Sequence, residues 1–149
     1  MYCIIDIETN GLSSKRGKIT EIAIYKHDGK KIIDKFQTLI NPETPIPFEI
    51  TRITGITAQM VENAPKFYEV AKEILDITEG CVFVAHNVTF DYNFVHEEFK
   101  TLGYAFQRKK LCTVKQSRLL LPGHKSYSLG NICNDLNIEL EERHRAAGD

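Results

Sequence analysis

The sequence has no Cys-x-x-Cys pair, no apolar run approaching the ~20 residues of a membrane span, and almost no net charge. Each absence excludes something. The four cysteines, Cys3, Cys81, Cys112 and Cys133, stand far apart, which argues against a zinc ribbon or a dithiol redox motif. They read instead as reduced, mostly buried thiols of a cytoplasmic protein. A net charge of −1 excludes a strongly basic wrapper of nucleic acid. It does not exclude a protein that meets phosphates through metal ions held by acidic residues. No basic N-terminal segment leads into an apolar core, so no signal peptide is expected. Repeats, low-complexity stretches and linkers are also missing. What is there, 149 residues of which 42 % are apolar, has the size and composition of one globular domain.

Periodicity and turn signals predict the elements. Residues 1–7 read as a strand whose even positions, Tyr2, Ile4, Asp6 and Glu8, share a face opposite Cys3, Ile5 and Ile7. A second strand spans 19–27, Asp28-Gly29 is a hairpin signal, and an antiparallel third strand spans 31–40. Residues 41–47 hold three prolines and form a loop. Thr57 can cap a short helix running through Glu62. Pro65 suits the first turn of a helix to about Thr78, with Phe67, Val70, Ala71, Ile74 and Leu75 on its apolar stripe. A short buried strand follows at 82–85. Asn87 can cap a helix to about Leu102, closed by Gly103. Residues 111–113 suit a fifth strand, and Ser126 or Ser128 can start a helix over 129–136 before a charged tail. This order predicts an α/β protein with a mixed five-stranded sheet flanked by helices.

Three placements of carboxylates stand out. Asp6 and Glu8 project to one side of a strand with Ile4 and Ile7 around them. Close, poorly solvated carboxylates need a partner, and a divalent cation with hard oxygen ligands is a good one. Asp91 lies within about 60° of Phe94, Val95 and Leu102 around its helix, on the apolar face. His144 and Asp149 would be about 140° out of phase on one helix, so they converge only with His144 on a loop and Asp149 in the following first turn. Each placement has a plainer reading: an exposed strand end, a first-turn aspartate favoured by the helix dipole, and a solvated charged tail. Together they name four carboxylates and one histidine. Such a set can hold two cations roughly 3.5–4 Å apart for phosphodiester cleavage. The histidine can then take a proton from the attacking water.

Asp6-Ile7-Glu8-Thr9, His86-Asn87-Val88-Thr89-Phe90-Asp91 and His144-Arg145-Ala146-Ala147-Gly148-Asp149 resemble the three motifs of the DEDDh exonucleases. These are the DnaQ-like proofreading enzymes typified by the epsilon subunit of bacterial DNA polymerase III. Thr54-Gly55-Ile56-Thr57 lies between the first two motifs as in that family. The resemblance covers the whole chain. It implies a ribonuclease H-like fold, two Mg²⁺ or Mn²⁺ ions bound by Asp6, Glu8, Asp91 and Asp149, and His144 as general base. It implies that Thr9, Gly11 and Leu12 touch the terminal nucleotide, that Gly55 and Ile56 line its base pocket, and that Asn87 and Phe90 hold the strand behind it. The implied activity is 3′→5′ hydrolysis at the 3′ end of DNA in proofreading or repair, with a single-stranded or frayed end as substrate and a polymerase subunit as a further partner. Two departures carry expectations. Asn10 stands where the family usually has Thr, so contacts with the end nucleotide should shift. Relatives continue past the last aspartate with a packing helix, so the natural protein is expected to be longer than a 1–149 exonuclease domain and metal binding at Asp149 to be weakened.

An RNA exonuclease of the same superfamily would carry the same motifs, and a non-catalytic nucleic-acid-binding module is the reading from another class. Lys15, Arg16 and Lys18, then Arg108, Lys109 and Lys110, then His124 and Lys125 could contact phosphates or be solvated charge. Tyr92, Tyr104, Phe106 and Tyr127 could stack on bases or pack in the core. His86 reads as a satisfied structural histidine rather than a ligand.

Overall fold

The computed structural model describes residues 1–139, 145, 146 and 148. Five strands form one mixed sheet in the order β3-β2-β1-β4-β5. β1 (Tyr2–Thr9), β2 (Ile19–His27) and β3 (Ile32–Leu39) make an antiparallel meander, while β4 (Val82–Ala85) and β5 (Lys109–Cys112) run parallel to β1. The β2–β3 hairpin closes where expected: the Asp28 carboxylate accepts the Lys30 and Lys31 N–H groups at 2.7 and 2.8 Å.

One sheet face packs on α3 (Phe67–Thr78) and α4 (Thr89–Thr101). Cys3, Ile5 and Ile7 of β1 meet Phe67, Val70, Ile74, Phe94, Val95 and Phe99 in one apolar core. At its far side Phe99 and Phe106 stack with ring centres 4.9 Å apart, and Tyr92 and Phe83 close the cluster edge-on. Tyr92 and Phe106 are thus core residues, and α3 buries Phe67, Val70, Ala71 and Ile74 of the expected stripe, with Leu75 only partly buried and Ile77 added. The other sheet face is less covered: Tyr2 and Ile4 remain about 40 % exposed. A cavity of about 310 Å³ lies there, lined by Ile4, Asp6, Tyr25, Leu129 and Ile132 among others.

Several boundaries move. Pro65 lies outside α3, which starts at Phe67, with the Lys66 N–H held by Glu69 at 2.7 Å. Asn87 does not cap α4 with its side chain. It takes the left-handed conformation, φ 70°, and its carbonyl accepts the Phe90 N–H. Thr57 caps α2 (Ala58–Val61) as expected, accepting the Met60 N–H at 3.2 Å. The helix predicted over 129–136 is α6 (Leu129–Asp135), entered from Ser128. Two helices were not foreseen: α1 (Phe48–Thr54) and α5 (Thr113–Leu120). No helix among the described residues is long and apolar enough to cross a membrane.

Candidate active site

The site lies where β1 runs past its short pairing with β4. That pairing covers Tyr2 to Ile4 and stops short of Asp6 and Glu8. α4 enters at this point. Its first-turn Asp91 is 3 % exposed, and its carboxylate accepts hydrogen bonds from the Ile7 N–H and from its own backbone N–H. Ile7 stands between Asp6 and Glu8, both half-buried. Backbone bonding therefore ties the second motif's carboxylate to the strand that bears the first pair. Burial pushes the Asp91 carboxyl up to about 7, against the opposing pull of the two N–H groups. An uncompensated carboxylate at this depth is costly, and a cation beside it would offset that cost.

The donors are all hard oxygen, which suits Mg²⁺ or Mn²⁺. Among the described residues, however, no three His, Cys, Asp or Glu side chains converge closely enough to hold an ion. His144 and Asp149 lie outside the described residues, so three expected ligands of four can be located.

Sequence reading missed a further buried carboxylate. Glu21 lies directly across from Glu8 in the β1–β2 register and is 1 % exposed. Paired residues of antiparallel strands share a face, so Glu21 sits beside the site. It takes a bidentate grip on Arg145, with Nε at 3.0 Å and the terminal nitrogen at 2.8 Å, and accepts the Ala146 N–H at 3.1 Å. Burial alone would raise its carboxyl, but the Arg145 bonds and the Ala146 N–H hold it below the usual carboxylate range. The local signal was a lone Glu inside a strand buried on both faces, between Ile19 and Ile24.

The remaining site residues fall around this centre. The Thr9 hydroxyl donates to the Gly11 carbonyl at 2.7 Å, and Leu12 projects into solvent, 86 % exposed. Asn10 is buried. Its amide donates to Thr44 Oγ1 at 2.8 Å and the Pro45 carbonyl at 3.0 Å, and its oxygen accepts the Lys18 N–H at 2.7 Å. These bonds tie the first motif to the 41–47 loop. Gly55 closes α1 in the left-handed conformation, φ 72°, with Ile56 fully buried beside it. Asn87 is exposed, and Phe90 packs half-buried against Phe94 at 4.9 Å.

Three of the eight candidate phosphate contacts have structural employment in ion pairs or backbone bonds. Lys18 pairs with Glu98 at 3.0 Å, His124 with Asp135 at 2.6 Å, and the Arg108 Nε donates to the Thr78 carbonyl at 2.9 Å. Lys15 and Arg16 are exposed beside the first motif. His86 is satisfied on both ring nitrogens, by the Thr113 hydroxyl and the Tyr127 carbonyl, each at 2.9 Å. It is a staple between β4, α5 and the loop before α6, as its structural reading had it.

Residues 3–149 match the model of the RNase T exonuclease family. The chain belongs to this exonuclease family. Its sheet order and flanking helices are those of the ribonuclease H-like fold shared by solved exonucleases. Exonuclease X, solved in complex with 5′ overhanging duplex DNA, superposes on the exonuclease chain with a TM-score of 0.78 at 28 % identity, over 99 % of this chain and 83 % of that one. Escherichia coli exonuclease I, solved with a dT13 oligonucleotide, reaches 0.88 at 18 % identity over 99 % of this chain and 38 % of that one, a likeness of fold alone. The PolC-type DNA polymerase III of Caldanaerobacter subterraneus subsp. tengcongensis is 39 % identical over 148 residues, 99 % of this exonuclease chain but 11 % of the relative. The 3′-5′ exonuclease DinG of Bacillus subtilis is 39 % identical over 150 residues, covering 16 % of its length. The exonuclease chain therefore spans between about a tenth and a sixth of the curated relatives quoted.

Proposed function

We propose that this chain removes nucleotides from the 3′ end of DNA by metal-dependent hydrolysis, in an epsilon-like proofreading or repair role and in the cytoplasm. The observation that carries the reading is the Asp91 carboxylate, buried and bonded to the Ile7 N–H between Asp6 and Glu8. A chain that needed only a stable fold would gain by placing an amide or an apolar group there. Asp6, Glu8, Asp91 and Asp149 would hold two Mg²⁺ or Mn²⁺ ions. When bound, the pair would lower the pKa of water and neutralise charge on the leaving oxygen.

The chain's own residues do the rest. His144 takes the proton of the attacking water. Thr9, Gly11 and Leu12 meet the terminal nucleotide from one side, and Gly55 with Ile56 behind it from the other. Asn87 and Phe90 hold the penultimate part of the strand. The proofreading role and a polymerase partner rest on the PolC-type relatives, and DNA on exonuclease X, whose solved complex contains it. The family's RNase T label favours RNA as the competing substrate.

Matched 5′-labelled DNA and RNA strands, incubated with the intact protein and Mg²⁺ or Mn²⁺, test both. A shortening ladder on DNA is expected. Asp6→Ala and Asp91→Ala should each slow it by about a hundredfold or more. Undiminished activity in either variant would show that the site is misplaced, and a ladder on RNA alone would reassign the substrate.

A further inference from the structure

Glu21 is not one of the family-motif carboxylates, yet it is the most deeply buried glutamate among the described residues. It lies in the middle of β2, and a strand inside a sheet holds its side chains more rigidly than a loop can. Three of its hydrogen bonds come from two consecutive residues of the last motif, 124 and 125 positions further along the chain. The guanidinium fork fixes orientation as well as distance, and the Ala146 N–H fixes the backbone direction at the next residue. His144 precedes Arg145 by one peptide bond. Glu8 faces Glu21 across the strand pair.

We propose that Glu21 is a positioning residue: by clamping Arg145 and the Ala146 N–H it registers the segment that carries His144 against the Asp6–Glu8 strand. This rests on the reading of His144 as general base. A displacement near 1 Å of a reacting group can cost about a hundredfold in rate, so a clamp of this kind acts on turnover more than on binding. An ion pair that serves stability alone would act on melting temperature and leave turnover in the folded fraction intact.

The test compares the intact wild-type protein with R145Q, R145K, E21Q, the double variant E21Q/R145Q, and H144A. Steady-state kinetics are run on a 5′-labelled DNA strand, with melting temperatures in parallel. R145Q and E21Q should each lower kcat by about 30- to 100-fold, with KM within about twofold. The double variant should be no slower than the worse single one, because both remove the same clamp. R145K should stay impaired, since an ammonium cannot make the two-point contact. Should E21Q fail to fold, R145Q and R145K still decide, because the Arg145 side chain is 31 % exposed and less embedded in the core. Wild-type kcat in folded R145Q, full recovery in R145K, or losses that multiply in the double variant would each overturn the clamp while H144A remains inactive. Wild-type kcat in H144A would instead overturn the reading of the base, and the proposal with it.

Discussion

At the scale of single residues, the site holds a tension between stability and chemistry, and Asp91 shows it most clearly. Its carboxyl rises from 3.8 to about 7 because burial disfavours the charge. In the metal-free protein below about pH 4, folded and unfolded chains both hold this proton and the group costs nothing. Between about pH 4 and 7 the unfolded chain releases it first, so stability falls as pH rises. Above about 7 the full penalty stands, at most about 4 kcal/mol. Asp91→Asn should therefore raise the stability of the metal-free protein at pH 8 by about 2 kcal/mol, lose that advantage near pH 4, and abolish nuclease activity. Denaturant unfolding of both proteins with a chelator, at the two pH values, measures it. An Asn variant less stable than the wild type at pH 8 would mean that the carboxylate is already compensated within the protein. Mg²⁺ or Mn²⁺ should raise the wild-type midpoint and leave that of Asp91→Asn nearly unchanged.

At the scale of elements, Asn10 joins the end of β1 to the 41–47 loop, which leads directly into α1 and Gly55. These are the two proposed walls around the terminal nucleotide. Asn10→Ala removes three hydrogen bonds of a buried amide and should cost about 1–2 kcal/mol of stability. It should also raise KM for an oligonucleotide by about fivefold with kcat little changed, because the walls loosen while Asp6, Glu8 and Asp91 stay in place. A loss confined to kcat would show that Asn10 acts on the reacting atoms instead. The same element shows what the sequence could and could not convey. β2 and β4 have the expected limits, since their apolar runs are bounded by turn chemistry. α1 was hidden by its β-branched Ile50, Thr51, Ile53 and Thr54, by a Pro47 cap without a side-chain bond, and by exposed Phe48 and Ile53 that trace no buried stripe. α5 buries no residue and follows β5 without a turn, so neither periodicity nor punctuation marks it. Asp91 was legible because one helix carried both the charge and the apolar face that buries it. Glu21 was not, because its partner stands 124 positions away and nothing local announces the pairing.

At the scale of the whole molecule, a net charge of −1 limits how the chain meets a polyanion. Lys18, Arg108 and His124 are engaged within the fold, while Lys15 and Arg16 stand exposed beside the first motif. Affinity for a single strand should then come from a few direct contacts and from divalent cations at the carboxylates, with little release of counterions. The slope of log affinity against log salt should be about −1 to −2, well below the roughly −10 of a strongly basic repressor. Fluorescence anisotropy with a labelled strand checks this, using Ca²⁺, which occupies oxygen sites with a looser geometry than Mg²⁺, to suppress turnover. Binding should weaken by about tenfold or more when the cation is chelated, or when Asp6→Ala removes a proposed ligand. Removing that acidic group makes the protein less negative. A model in which overall charge governs binding therefore predicts tighter association for Asp6→Ala, whereas a cation-bridged site predicts weaker association, and the sign of the change separates the two.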